Sequence, residues 1–213
     1  MLIFDFFAGT GSSTQAFKDA GHTVISFELD TSFEATEHAD VFELNAKDLV
    51  ARYGQPDFVW ASPPCTAFSV ASMGHHWISG GANPMPRTEG AKISQELVAH
   101  TLQLIKELNP SKGWLMENPR GMLRKLPVVQ GFPRRTVTYC TYGDSRMKPT
   151  DLWGTVEGWT HREPCKNGQG CHEAAPRGSK TGTQGLKGAK ERSMIPYQLG
   201  KEILDAIESG QSA

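Results

Sequence analysis

The feature that most constrains this chain is an alternation. Short apolar runs, "MLIFDFFAG", "HTVISFELD", "PDFVWASPP" and "GWLMENP", each end at glycine, proline or an acid. Runs of that length bounded by turn residues suit strands buried on both faces. Between them lie stretches of helical pattern. "SSTQAFKDAG" offers Ser and Thr as N-caps and a stop at Gly21, "KDLVARYG" ends in the same way, and Ile93, Leu97, Thr101, Leu104 and Leu108 recur at three- and four-residue spacing. Strands that alternate with helices close into a parallel, doubly wound sheet, because each parallel step needs a crossover. The expected fold class is therefore α/β, a Rossmann-like sheet.

The remaining elements are less regular. "TSFEATEHA" is expected as a short helix, "ADVFELNA" as a short strand, "RTVTYCTYG" as a strand by its Thr/Val/Tyr bias, and "IPYQLGKEILDAI" as a closing helix. From Gly143 to Lys190 no periodicity survives, and "SKTGTQGLKGAK" reads as loop or a small irregular insert. These patterns suggest a sheet domain over 1–142, a small irregular segment over 143–190 and a C-terminal helix over 191–213 that packs back. At 213 residues, 38% hydrophobic and 21% charged, the chain can bury a core, and disorder is not expected. No apolar run nears the ~18 residues of a membrane span, and the first residues lack the basic region of a signal peptide. A cytoplasmic monomer without a membrane partner is expected, and in that compartment the four cysteines read as thiols, nucleophiles or metal ligands.

Charge is divided along the chain. Residues 1–118 hold 7 Lys+Arg against 14 Asp+Glu, whereas residues 119–192 hold 14 against 6. A basic, Gly-rich second part fits contact with phosphates as well as it fits a solvated surface.

Three motifs carry chemistry. In "FAGTGSS", Gly9 and Gly11 allow a sharp turn and close approach of a ligand to free N–H groups at a helix start, and Glu28 ends the next strand, where an acid can accept ribose hydroxyls. Without the third glycine of a pyrophosphate fingerprint, an adenosyl ligand is favoured over a dinucleotide. In "SPPCTAFSVAS", Cys65 sits at a strand end behind two prolines, either as a fixed nucleophile or as a packed thiol. In "WLMENPRG", Glu117 and Asn118 close a buried strand, either as an acid aimed at a ring nitrogen or as a cap.

In this order and spacing, "DFFAGTGSS", "SPPCTAFS" and "MENPRGML" resemble the first, fourth and sixth motifs of the DNA cytosine-5 methyltransferases, and "ERSMIPYQLGKEI" resembles the last. In style the chain looks like compact phage-encoded members, which would act in a bacterial host cell. The resemblance implies S-adenosylmethionine as cofactor, held by Phe7, Ala8, Gly9, Gly11, Ser12, Pro63 and Ser193, with Glu28 on the ribose, Leu29 against the adenine and Asn45 near its amino group. It further implies Cys65 as nucleophile positioned by Pro64, Glu117 as the acid at cytosine N3, Asn118 as the residue ordering that loop, and Arg135, with Arg134 second, as the arginine that touches the base or Glu117. The partner would be double-stranded DNA, with the target base flipped. The loop Ser69–Ala91 would close over that base, and Ser69, Arg177, Lys180, Lys187 and Lys190 would meet DNA.

The chain also departs from the family. Only the 143–190 segment is left for target recognition, so a short site of about two base pairs is expected. Within it His161, Cys165, Cys171 and His172 form H-x3-C-x5-C-H, zinc ligand types in a segment that lacks a core of its own. Rival readings are an amino-methyltransferase, because "SPPC" is similar to that class's Ser-Pro-Pro-aromatic motif, an RNA cytosine methyltransferase, and an inactive DNA-binding module. The first lacks its stacking aromatic, since Cys65 stands there, and the last does not explain why Cys65 and Glu117 are both kept.

Overall fold

The computed structural model describes residues 1–78, 83–166, 168–174 and 188–210. The four apolar runs become β1 (Leu2–Phe6), β2 (Thr23–Glu28), β4 (Phe58–Ala61) and β7 (Trp114–Pro119). The helical stretches give α1 (Gln15–Asp19), α2 (Ala46–Tyr53) and α4 (Glu89–Leu108), the last capped by Thr88, whose side chain accepts from the Ala91 N–H. A two-residue β3 (Glu37–His38) precedes α2. Between β4 and α4 lie α3 (Met73–His76) and a small antiparallel pair, β5 (Trp77–Ile78) and β6 (Met85–Pro86). The chain ends with β8 (Arg134–Thr138), β9 (Pro149–Thr155), α5 (Ala189–Ser193) and α6 (Tyr197–Ser209).

Among the described residues seven strands form one sheet in the order β3-β2-β1-β4-β7-β9-β8. Neighbours from β3 across to β7 are parallel, and β9 runs antiparallel between β7 and β8. Alternate residues of the strands supply two cores. Phe4, Phe6 and Val59 pack with Leu49 of α2 and Val98 and Ile105 of α4. On the other face Ile3, Phe58 and Trp60 pack with Phe17 of α1 and Leu199 and Ile203 of α6. Each such side chain contributes about 1.5–3 kcal/mol on burial, so both helical layers are held firmly to the sheet. At Gly200 of α6 an added Cβ would lie 3.1 Å from the Ser13 carbonyl oxygen, which explains a glycine where the two helices cross.

Three expectations are corrected. The helix at 31–39 does not form, because Asp30 accepts from the Ser32 N–H at 2.9 Å and the Thr36 N–H donates to Ser26 Oγ at 2.9 Å. Such local polar bonds compete with a helix. The strand expected at 39–46 is instead a 3-10 turn, Val41–Glu43, whose Phe42 N–H is accepted by Asp40 at 3.0 Å. Finally, the segment from 143 onward is not all insert, since β9 is fully paired within the main sheet. Its Pro149, Asp151 and Gly154 hide the strand pattern. Asp151 is nevertheless buried, with Arg124 and Thr136 bonded to its carboxylate.

This topology decides what meets at one edge. The C-terminal ends of β1, β2, β4 and β7 point the same way, and β8 ends beside them, with Thr138 paired to Pro149. Because β9 is antiparallel, it starts at that same edge, where Thr150 pairs with Pro119.

Candidate active site

The turn after β1 takes three left-handed residues, Phe7 (φ 60°), Gly9 (φ 51°) and Gly11 (φ 70°). Only glycine adopts this backbone without strain, so Phe7 is held there by its surroundings. The Ala8 N–H bonds the Phe27 carbonyl at 3.1 Å, and the Gly9 N–H donates to Glu28 Oε2 at 2.8 Å. Beneath the turn, buried Asp5 accepts from Ser13 Oγ and Thr14 Oγ1 at 2.8 and 2.7 Å. Burial pushes the Asp5 carboxyl up to about 6. Above it, the position of a Cβ on Gly9 meets nothing within 4 Å. The turn is therefore a cradle with open space over its backbone, bonded to Glu28; the next residue, Leu29, is an apolar side chain left 64% exposed.

The turn after β4 carries the cysteine. Pro63 is buried, Pro64 exposed and Cys65 half-buried as a free thiol. The Cys65 carbonyl accepts from the Phe68 and Ser69 N–H groups at 2.9 Å, which closes the turn. Asn118, wholly buried at the end of β7, donates from Nδ2 to the Pro63 carbonyl at 2.8 Å. A second tie follows: the Met122 N–H donates to the Phe68 carbonyl at 2.7 Å, and a Cβ on Gly121 would come 2.2 Å from that oxygen. The Pro-Cys turn and the Glu-Asn turn are thus locked to each other, backbone to side chain and backbone to backbone.

Glu117 is buried beside them and accepts from Tyr139 Oη at 3.0 Å. Burial pushes its carboxyl up, while the charge of Lys148 and the Tyr139 bond pull it down. Burial likewise raises the Tyr139 hydroxyl well above its ordinary value, so it stays a donor. The Cys65 thiol is raised by burial and then by the Glu117 charge, against the pull of Lys148 and Arg192. The two groups are linked. Protonating Glu117 removes the negative neighbour of Cys65 and so lowers the thiol, although burial still holds it up.

Residues 1–127, which span the glycine turn, the Pro-Cys turn and Glu117–Asn118, match the model of the C-5 cytosine-specific DNA methylase family. The chain belongs to that family. A probable DNA (cytosine-5)-methyltransferase of Frog virus 3 (isolate Goorha) is 29% identical over 223 residues, covering 96% of this chain and 99% of the relative. Among solved structures, the Entamoeba histolytica methyltransferase EhMeth superposes with a TM-score of 0.51 at 14% identity, over 76% of this chain. This chain spans 57% of that protein's length, and the likeness concerns the fold.

For a cytosine-5 methylase the cation beside Glu117 is not the one expected from sequence. Arg135 donates from Nη1 to the Gly154 carbonyl at 3.2 Å and lies over the Trp159 ring. Gly154 pairs with Leu115, so Arg135 reaches back along β7, away from its Glu117 end. Lys148 takes the place instead. Its Nζ donates to the Arg192 carbonyl at 2.9 Å and sits 4.6 Å from the ring centroid of Tyr139, the residue bonded to Glu117, near enough for the Glu117 charge to act on it. Burial pushes its ammonium down and the Glu117 charge pulls it up. Sequence reasoning missed Lys148 because only the antiparallel register of β9 brings residue 148 to this edge.

The C-terminal segment is pinned to the same edge. Arg146, buried and paired with Asp144, donates to the carbonyls of Glu191, Arg192 and Met194, and the Ile195 N–H donates to Ser12 Oγ at 3.0 Å. Ser12 is therefore engaged with the chain itself. Ser193 is exposed nearby, its Oγ donating to the Lys190 carbonyl at 2.7 Å. Asn45 caps α2, accepting from the Asp48 N–H at 3.0 Å, so its side chain is committed to the helix.

The loop Ser69–Ala91, of which residues 79–82 lie outside those described, has more structure than expected. Trp77 is buried against Phe68 and donates to the Ala67 carbonyl at 2.7 Å, and His76 Nδ1 pairs with Thr88 Oγ1 at 2.7 Å. Ser69 Oγ pairs with Ser72 Oγ at 2.8 Å. Val70, Ile78 and Met85 are left exposed on this element. Of the basic residues expected at DNA, Lys190 is exposed, its Nζ 5.5 Å from the Phe33 ring centroid, and Arg177, Lys180 and Lys187 lie outside the described residues. Cys165, Cys171 and His172 do come together, but with Cys140. His161 packs its ring near Trp159 instead, 6.3 Å between centroids. No helix among the described residues is long and apolar enough to cross a membrane.

Proposed function

We propose that the protein methylates C5 of a cytosine flipped from double-stranded DNA, using S-adenosylmethionine. The observation that carries the reading is the lock between the Pro-Cys and Glu-Asn turns through Asn118 and Pro63, which presents a thiol and a protonatable carboxyl as one unit.

The cofactor fits the cradle over Gly9, with Glu28 toward the ribose and Leu29 toward the adenine. Asn45 is spent on its helix cap. Asp40, two residues beyond β3, caps the 3-10 turn through Oδ1 alone, and its second carboxylate oxygen makes it the better candidate for the adenine amino group. When bound, S-adenosylmethionine supplies an electrophilic methyl group. Phe7, Ala8, Gly9 and Gly11 orient it, and Ser12 and Pro63 act by holding the surrounding backbone.

Cytosine C5 is a weak nucleophile, which explains the residue types. Cys65 thiolate adds to C6 while Glu117 gives its proton to N3, so electron density moves to C5. Lys148 steadies the negative charge that Glu117 then carries. Once C5 carries the methyl and S-adenosylhomocysteine is the leaving group, a base removes the C5 proton, the Cys65–C6 bond breaks to restore the thiolate, and N3 returns its proton to Glu117. The base must leave the duplex to reach this edge, and the exposed Val70, Ile78 and Met85 suit contact with the opened stack. With β9 taken into the sheet, recognition falls to residues 156–188, which favours a short target.

The test is nucleoside mass spectrometry on DNA from a methylation-free host expressing the wild type or Cys65→Ala. 5-Methylcytosine with the wild type alone is expected. N6-methyladenine or N4-methylcytosine instead would overturn the reading in favour of an amino-methyltransferase, and unmodified DNA would point to RNA or to a binding module.

A further inference from the structure

Cys140 follows Tyr139 in the turn after β8, whereas Cys165, Cys171 and His172 lie beyond β9. Their ligand atoms all fall within 4.8 Å of one another. Cys165 Sγ is 3.1 Å from Cys171 Sγ, and Cys171 Sγ is 3.6 Å from Cys140 Sγ. His172 Nδ1 is 3.4 Å from Cys165 Sγ and 3.7 Å from Cys171 Sγ. A tetrahedral zinc with Zn–S bonds of about 2.3 Å and Zn–N bonds of about 2.0 Å has ligand–ligand edges of roughly 3.5–3.8 Å. The four spacings given lie between 3.1 and 3.7 Å, near or below those edges, and the other two are within 4.8 Å, so a modest rearrangement of the side chains would seat the ion.

We propose that Cys140, Cys165, Cys171 and His172 form a structural zinc site. Three thiolates and an imidazole favour zinc over oxygen-seeking cations, and four protein ligands leave no position for water or substrate. The segment needs such a staple. Between residues 157 and 174 the described buried side chains are Trp159 and Cys165, too few to hold it by apolar contact. Two hydrogen bonds prepare the fit: the Cys165 N–H donates to Thr138 Oγ1 at 2.8 Å, and the Glu173 N–H donates to the Ser145 carbonyl at 2.9 Å. The zinc closes the chain from Cys140 to Cys171 and so clamps the stretch that carries Lys148 and β9. It also fixes the residue next to Tyr139, whose hydroxyl holds Glu117. Binding displaces the thiol protons to solvent and changes no oxidation state.

The experiment is metal analysis of the full chain purified without chelator, followed by zinc release with a mercurial and replacement by cobalt(II). One equivalent of zinc, released as thiols are titrated, and a cobalt spectrum of tetrahedral thiolate type are expected. Cys140→Ser should lose the metal and His161→Ala should keep it. Should Cys140→Ser fail to fold, the mercurial titration and cobalt spectrum of the wild type read the same site. A wild type that neither carries nor takes up zinc or cobalt would overturn the proposal. So would a Cys165–Cys171 disulfide in the purified protein, or zinc that survives Cys140→Ser but is lost in His161→Ala.

Discussion

The edge bearing Cys65 and the cysteine–histidine cluster lie on either side of Tyr139 and are ordered by different means. At the edge, parallel strands with buried apolar side chains bring three turns together, and Asn118 and the Met122 N–H then tie two of them to each other. At the cluster, little apolar area is buried, and order comes from side chains of metal-ligand type. A sheet can hold the groups at its edge in place because its strands are hydrogen-bonded to one another and buried. A short surface segment has no such frame and relies on cross-links.

The largest way to break this comparison is Glu117→Gln. The amide keeps the packing but cannot give a proton to the base, and we expect kcat to fall by roughly 10²–10⁴-fold with the melting temperature little changed. A small loss of rate would mean that Glu117 is only a structural acid. Asn118→Ala comes next, because it removes the bond to Pro63 and leaves that carbonyl unpaired. Stability should drop by about 1–3 kcal/mol in denaturant unfolding, and the rate should drop with it. Removing metal should separate the two regions: hydrogen exchange is expected to rise in residues 138–148 and 163–174 while β1, β4 and α4 stay protected. Equal loosening of both would show that the cluster supports the whole sheet.

The smallest effect is on pH dependence. Lys148 pulls both Cys65 and Glu117 downward, so Lys148→Met should raise both. A nucleophile with a raised pKa reaches its thiolate form later as pH increases. The ascending limb of kcat/KM, and of Cys65 alkylation by iodoacetamide, should therefore move to higher pH. A shift to lower pH would contradict the placement of Lys148.

The same contrast explains what could be read from sequence. The β1, β2, β4 and β7 strands are continuous apolar runs, and Cys65, Glu117 and Asn118 stand at their ends, so fold and edge were legible together. Asp30 spends its side chain on the Ser32 N–H, and Thr36 pairs with Ser26 of β2 ten residues back, which propensity in "TSFEATEHA" could not reveal. β9 was hidden because Asp151 is buried with Arg124, a tertiary pairing that no periodicity shows. Lys148 and Cys140 were missed for a related reason. Each reaches its site through the β8–β9 register, while Arg135 and His161, the candidates nearest in pattern, are directed elsewhere by Gly154 and Trp159.

The central claim is that Cys65 becomes the covalent nucleophile toward cytosine. The most direct measurement is incubation of the full chain with S-adenosylmethionine and duplex DNA carrying 5-fluorocytosine, followed by mass spectrometry of the cross-linked peptide. Fluorine at C5 blocks the final proton loss, so a stable adduct of methyl, base and Cys65 is predicted, absent in Cys65→Ala. DNA that binds and is methylated without any adduct at Cys65 would contradict the account.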